Sequence, residues 1–583
     1  MTLLDAINAS GMTPARLQSC ATLTRRRLVA LALNLMVYGA LCGWLASILG
    51  AGGWSYIDIA FFACFLVASP WAVLGFVNAT LGLWLACFVA DGVAQTAPFL
   101  AAGETRAAIT ERIAIVMTVR NEDVGPAIDR LAAMETELSA TADGAHFSWH
   151  LLSDTSDPAI AADEERLIDA WRAQRPGSAG LIHYRRRCDN SGFKAGNLRA
   201  FCADMHTDYD LMIVLDADSF MRSGTLLQMV RIAGAHPRIG ILQSLAVGAP
   251  SRSAFTRLFQ FGMRMGMRSY TLGASWWTGD CGPFWGHNAL VRVRPFLDYC
   301  ALPKLSSGPI LSHDQIEAAL MRRAGLEVRV MPVESGSYEQ NPPDLMEFSR
   351  RDLRWCRGNM QYWRLLGLPG LAPVSRFQLV WAIAMFIGLP ASQALLALAA
   401  LKPFDGEPSS AFPAGSGIAF LIAYMLLGLT PKLAGLLDAA FSGEFPRYGG
   451  ARLFALGAAL EFVASYLLSA AIGFRTAAFL LGLPFGRSVA WGAQRRSAVA
   501  VSWSDAARDF WPATLFGVTL AGLLCAGAPA AVPYALPFIA GLALAIPFAK
   551  LTASPALGAF FVRYRLCAAP EELASTQDPV SAP

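Results

Sequence analysis

The chain has 583 residues, of which 55% are hydrophobic and only 15% charged, and its net charge is +4 at neutral pH. That composition is too apolar for a water-soluble enzyme and indicates a membrane protein of more than one domain. So small a net charge gives no footing for nucleic acid, and 11 cysteines without a C-x-x-C pair indicate neither a zinc ribbon nor a disulfide framework.

Residues 1–27 are polar and end on Arg25, Arg26 and Arg27, which by the positive-inside rule puts the N-terminus in the cytoplasm. No charge occurs between Arg27 and Asp58, or between Asp58 and Asp91. Each interval can hold a spanning helix of about 20 residues, so residues 28–92 are expected to form two transmembrane helices, with a turn at Gly50–Trp54. The first run is too long for a signal peptide and lacks a cleavage site, so it reads as a retained anchor. Residues 104–376 are rich in charge and read as one cytoplasmic α/β domain. Its apolar runs Ile113–Met117, His150–Leu152 and Leu211–Leu215 have the length and composition of buried parallel strands.

Residues 377–441 return to the membrane pattern, with uncharged runs at Phe377–Leu401 and Pro408–Pro431 suited to two further spans. Lys432, Arg447 and Arg452 bracket a cytoplasmic turn. Residues 451–509 are harder: the apolar part carries Glu461 and Arg475 and reads either as a segment lying in the interface, giving six spans, or as a hairpin, giving eight. The interfacial form keeps the following loop, with Trp491, Gln494, Arg495, Arg496 and Trp503, in the cytoplasm as a gating-type loop. Residues 510–549 suit a transmembrane hairpin, and residues 550–583 a cytoplasmic tail, polar and disordered after Arg565.

Within the α/β domain, Asp154 ends one strand, and Asp216 and Asp218 follow another. Ligands of an open α/β sheet bind beyond the carboxyl ends of its strands, so these acids are expected to converge there. Hard oxygen ligands suit Mg²⁺ or Mn²⁺ bridging a diphosphate. Lys194, before the small-residue turn Ala195-Gly196-Asn197, can reach a phosphate or a base, or simply be solvated. Ser312 and Gln315 fit a capping box around Asp314, which is then either an ordinary capping acid or a rigidly mounted base, while His313 reads as structural. Trp285, Gly286 and His287 lie in an aromatic, glycine-rich stretch that suits either a carbohydrate acceptor channel or a buried cluster. Arg351, Arg354 and Trp355 are three and four residues apart on a helix-like stretch. Guanidinium forks grip phosphate, and an indole offers a plate for a sugar ring.

In order, Asp154, the D-x-D at Asp216–Asp218, Ser312-His313-Asp314, and Arg351-Asp352-Leu353-Arg354-Trp355 resemble the motifs of the membrane-embedded processive glycosyltransferases of family two, which include cellulose and hyaluronan synthases. His313 stands where that family has an acid, and Arg351 stands where it has the Gln of Q-x-x-R-W. Both departures, with Leu152–Asp157 and Arg354–Asn359, are similar to the glucans biosynthesis glucosyltransferase H subfamily. The resemblance implies a GT-A-like domain set between transmembrane helices at a bacterial inner membrane. It implies an inverting glucosyltransferase that builds the β-1,2-linked backbone of osmoregulated periplasmic glucans from UDP-glucose with Mg²⁺ or Mn²⁺. In that reading Thr118, Asn121, Glu122, Asp154 and Lys194 hold the uridine end, and Asp216 and Asp218 the metal. Arg351 and Arg354 meet the diphosphate, Trp355 with Trp285, Gly286 and His287 the acceptor, and Asp314 is the base. The partners implied are UDP-glucose, the growing glucan, membrane lipids and periplasmic glucan-processing proteins, with no nucleic acid. A synthase of cellulose, chitin or hyaluronan type stays open beside it, as does a transporter that senses a nucleotide sugar.

Overall fold

The computed structural model describes residues 16–306, 308–406, 412–488 and 499–575. The strands are β1 (Ile113–Val119), β2 (Phe147–Ser153), β3 (Ile182–Arg186), β4 (Leu211–Asp216), β5 (Phe220–Met221), β6 (Ile239–Gly248), β7 (Ala289–Arg292) and β8 (Glu327–Glu339). They form one sheet in the order β3-β2-β1-β4-β7-β6-β8-β5. Alternate residues of β1 enter opposite layers: Ile113, Ile115 and Met117 pack into one core, Ala114 and Val116 into the other. Both faces are therefore covered, which is why these strands read as unbroken apolar runs.

The three runs identified in the sequence are β1, the end of β2 and β4, and these with β3 are parallel. The sheet as a whole is mixed, because β7 runs antiparallel to both β4 and β6. The reason lies in the path between β6 and β7. The chain leaves the carboxyl end of β6, forms the helix Ala254–Thr278, and passes through the Gly282–Asn288 stretch. His287 of that stretch lies 3.4 Å from Glu339 at the carboxyl end of β8. A strand that starts at this edge has to run backward through the sheet.

The helix Ala254–Thr278 joins the domain to the apolar helices. A Cβ on Gly82 would fall 1.7 Å from the Ser269 carbonyl oxygen, and one on Gly273 would fall 2.0 Å from that of Asn78. The helix thus meets Pro70–Cys87 backbone to backbone, a packing that only small residues permit. The arginine triplet docks on the same region: Arg27 pairs with Asp280 at 2.6 Å, and Arg26 stacks over Trp276.

Among the described residues six helices are long and apolar enough to cross a membrane: those within Cys20–Gly52, Pro70–Cys87, Pro373–Phe404, Ala414–Phe441, Ala451–Phe485 and Trp503–Gly527. A bent pair, Pro529–Ala543 with Ala545–Thr552, makes a seventh if counted as one span. The run after Asp58 is broken at Ser69 into Tyr56–Ala68 and Pro70–Cys87. Ala451–Gly482 is one unbroken helix, not a hairpin. Phe454 near its start packs on Phe261, and Glu461 fills the space beside Gly262. Near its end Thr476 donates to Asp352 at 2.5 Å, and Phe479 packs with Leu353 and Cys356. Both ends therefore reach helices that belong to the α/β domain's side.

The tail departs from the expectation of disorder. Leu566, Cys567, Ala568 and Ala569 are buried, and the helix Pro570–Ser575 follows. Glu572 pairs with Arg257 at 2.7 Å and Glu571 with Arg264 at 2.8 Å. Buried arginines on Ala254–Thr278 need carboxylates, and the polar tail supplies them.

Candidate active site

The sheet order reverses between β1 and β4, the switch point at which open α/β sheets leave a crevice. Thr118 of β1 is in register with Asp216 of β4, and Val119 with Ser153 of β2. Asp154 and Asp216 therefore leave the sheet on either side of the β1 exit, with Asp218 two residues further on.

Each acid has a different surrounding. Asp154 is buried, and both of its carboxylate oxygens accept from Arg187 at 2.8 Å, with Asn197 Nδ2 donating at 2.9 Å. Asp216 is paired with Lys194, whose Nζ also donates to the Gly286 carbonyl at 2.8 Å. Lys194 lies in the first turn of the helix Phe193–Met205 and not before a turn, and it ties the D-x-D to the aromatic stretch. Gly286 has a φ of 83°, a conformation favoured by glycine. Asn121 is spent on local structure: its Oδ1 accepts from the backbone of Ser156 at 2.9 Å and Asp157 at 3.2 Å, closing the β2 exit. Glu122 follows at the same strand exit.

The opposite wall comes from Leu345–Met360 and Asp314–Arg323. Arg351 stacks over Trp355 at 4.7 Å, its charge faces Glu339 and Asp218, and its Nε is buried without a hydrogen-bond partner among the described residues. Arg354 is buried, and its charge is felt by Glu347 and, with like sign, by Arg351 and Arg350. Trp355 is 46% exposed and presents a face to solvent. Asp314 opens its helix, but the capping box does not form: His313 is the N-cap without a side-chain cap bond, and Ser312 Oγ donates instead to Asp314 at 3.4 Å. His313 bonds Glu317 at 2.9 Å, in line with a structural role. Burial, opposed by His313 and reinforced by Glu317, raises the Asp314 carboxyl above its ordinary range. A Cβ on Gly286 would lie 3.5 Å from Asp314 Cβ, so base candidate, Gly286, Lys194 and Asp216 form a continuous row.

The family model of glycosyl transferase family group 2 matches residues 211–431. The glucans biosynthesis glucosyltransferase H of Vibrio cholerae serotype O1 is 32% identical, covering 98% of this chain and 79% of its own. The protein of that name from Cereibacter sphaeroides is 34% identical over 90% of this chain and 89% of its own. The chain belongs to the glucans biosynthesis glucosyltransferase H family. The fold is accordingly a family-two glycosyltransferase domain flanked by apolar helices. Among solved structures, a mannosyltransferase from Pyrobaculum calidifontis in complex with GDP-Man and Mn²⁺ aligns with a TM-score of 0.40 at 16% identity, over 63% of this chain and 99% of that one.

In this member of the family, four site residues carried no sequence signal. Arg187 and Asn197 hold Asp154. Gln243, fully buried, accepts from Trp285 N at 2.9 Å and donates to the His287 carbonyl at 3.0 Å, which fixes the aromatic stretch. Glu339 is the fourth. Burial raises its carboxyl, His287 and Arg351 oppose this, and Asp218 and Asp216 add to it. Arg187 directly follows β3, and the other three lie on the helix after it, β6 and β8, segments whose closeness to the D-x-D depends on sheet order. Trp491, Gln494, Arg495 and Arg496 lie outside the described residues. Trp503, expected in that loop, begins a helix.

Proposed function

We propose that this chain is an inverting glucosyltransferase of the bacterial inner membrane that polymerises glucose from UDP-glucose into the β-1,2-linked backbone of osmoregulated periplasmic glucans. The observation that carries the reading is the charge cluster of Arg351, Asp218 and Asp216 around Glu339, with Arg351 Nε buried and without a hydrogen-bond partner among the described residues. That is the charge pattern a nucleoside diphosphate with its metal would complete. The linkage and the periplasmic destination rest on the motif resemblance alone.

Among the described residues no three His, Cys, Asp or Glu side chains are grouped to hold an ion alone. Two carboxylates nevertheless fit Mg²⁺ or Mn²⁺, which take remaining ligands from phosphates and water. Asp218 and Asp216 would hold it, and it would supply charge neutralisation of the leaving diphosphate. The chain's own groups do the rest. Arg351 binds the diphosphate, while Asp154, Thr118, Glu122 and the exit loop closed by Asn121 form the nucleoside side. Trp355 and the Trp285–His287 stretch receive the acceptor. Asp314 takes the proton of the acceptor hydroxyl, whose oxygen forms the new bond to C1 as the C1–O bond to UDP breaks. One displacement converts the α-linked donor to a β-linked product.

Contacts at both ends of Ala451–Gly482 with the domain's own helices favour an arrangement along the cytoplasmic interface, with the loop after it beside the donor. The remaining spans would conduct the glucan outward. The deciding experiment supplies purified protein with labelled UDP-glucose and Mg²⁺ and determines product linkage. A β-1,2-linked polymer is expected, and another linkage or no turnover would overturn the reading.

A further inference from the structure

A guanidinium drawn partly out of water is ordinarily paired with a carboxylate. Arg351 is mounted differently. Of the carboxylates whose charge it meets, Glu339 lies 3.4 Å from His287, Asp352 accepts from Thr476 at 2.5 Å, and Asp218 belongs to the D-x-D. The groups stacked on Arg351 are aromatic. Its guanidinium carbon lies 5.4 Å from the centre of the Phe348 ring and 4.7 Å from that of Trp355. These rings come three residues before and four residues after Arg351, on one face of the helix Leu345–Met360.

The two rings are held unequally. Trp355 is largely open to solvent, whereas Phe348 packs edge-on against Phe259 at 4.9 Å and Phe255 at 6.0 Å, both of the helix Ala254–Thr278. Phe348 is thus the fixed ring and Trp355 the open one. Arg351 itself is half-buried and keeps part of its surface accessible. A ring attracts a cation through its face and takes none of the N–H donors, which lie in the guanidinium plane. A carboxylate would occupy the fork in bidentate fashion and cancel the charge. An aromatic mount therefore fixes the cation while leaving its hydrogen-bonding edge for a ligand.

We propose that Phe348 is a positioning residue for the transfer reaction: its ring fixes the Arg351 guanidinium with the fork uncommitted, ready for the diphosphate of the donor. The inference rests on the reading of Arg351 as a diphosphate ligand and adds the group that acts through it. Phe348 lies outside the motif Arg351–Trp355, and in this role it touches no substrate. Preorganising a cation in this way lowers the cost of ordering it when the ligand arrives.

The test is UDP binding by calorimetry with Mg²⁺, on the full-length protein in detergent, with uridine affinity measured beside it by competition. Phe348→Leu and Phe348→Met keep an apolar side chain against Phe255 and Phe259 but remove the ring face. Each is expected to weaken UDP binding about fivefold or more while leaving uridine binding within about twofold. Phe348→Tyr keeps the face and is expected to keep the wild-type affinity. In an Arg351→Ala background, Phe348→Leu is expected to add no further loss, because the ring then has no cation to hold. Wild-type UDP affinity in the Leu and Met variants overturns the proposal, as does a Tyr variant as weak as they are. An equal loss with and without Arg351, or failure of both variants to fold as judged by melting, would assign the ring to packing alone and also overturns it. If Arg351→Ala loses UDP affinity while the ring variants keep it, only this inference falls. Unchanged UDP affinity in Arg351→Ala would instead remove Arg351 from the diphosphate site and sink that part of the proposed function.

Discussion

Asp314 has its carboxyl raised by burial, in a row of polar groups that leads through Gly286 and Lys194 to Asp216. A base acts only when deprotonated, so the raised value has a signed consequence. Synthesis should fall as pH drops through a value above the ordinary aspartate pKa of about 3.9, and the acid limb of kcat/KM should report it. Asp314→Asn is expected to cut polymer synthesis by about 10²–10⁴-fold while leaving UDP affinity within a few-fold, since Asp314 is linked to Asp216 only through Gly286 and Lys194 among the described residues. Near-normal synthesis would make Asp314 a capping acid. Asp218→Asn should instead weaken metal-dependent UDP binding as well as turnover, with calorimetry beside glucose incorporation separating the two.

At the scale of elements, the helix Leu345–Met360 and the segment before Asp314 are set against each other by one glycine. A Cβ on Gly358 would fall 2.7 Å from Ser312 Cβ and 2.8 Å from Ser312 N. The same contact is braced by Tyr362 Oη, which donates to the Ser312 carbonyl at 2.9 Å, and by Gln361 Oε1, which accepts from Leu311 N at 2.8 Å. Gly358→Ala must therefore push the arginine-bearing helix away from the base. Overpacking of this kind costs about 1–3 kcal/mol, and synthesis should drop more than UDP binding. Gly367→Ala, where a Cβ meets nothing within 4 Å, is the control. Equal activity of the two variants would show that the helix and the base segment are not coupled through this contact.

At the scale of the whole molecule, the tail and the domain are joined by buried charge. Arg264 lies between Glu334 of β8 and Glu571 of the last helix, at 2.5 and 2.8 Å. Burial works to raise the Glu571 carboxyl, but hydrogen bonding and charge from Arg264 outweigh it, and the net shift is downward. A depressed carboxylate contributes stability that is present above its unfolded pKa of about 4.3 and is lost as pH falls through the folded value. Hydrogen exchange in residues 570–575 should therefore rise on acidification below that range. Glu571→Gln should release the helix at neutral pH and destabilise the protein by about 3 kcal/mol, the lower end for breaking a buried pair, because Glu334 stays with Arg264. Unchanged exchange in the variant would show that the apolar contacts of Leu566–Ala569 hold the tail alone. The N-terminal end of the first helix meets the domain through Arg27 and Asp280, so a topology reporter at Met1 and one at Asp204 should fall on the same, cytoplasmic, side.

Local sequence determined the apolar runs, the strands β1, β2 and β4, and the acids at their ends, because burial on both faces and strand-terminal position leave their mark within a few residues. It also carried the ordered motifs that mark the family. It could not carry pairings between segments far apart in the chain. That Arg187 holds Asp154, that Gln243 orders Trp285, and that Glu339 faces Asp218 follow from the order β3-β2-β1-β4-β7-β6-β8, which no single strand encodes. The reversed β7 and the charge-paired tail are of the same kind. A strand's direction depends on the edge from which it enters, and the place of a polar tail on the buried cations it meets.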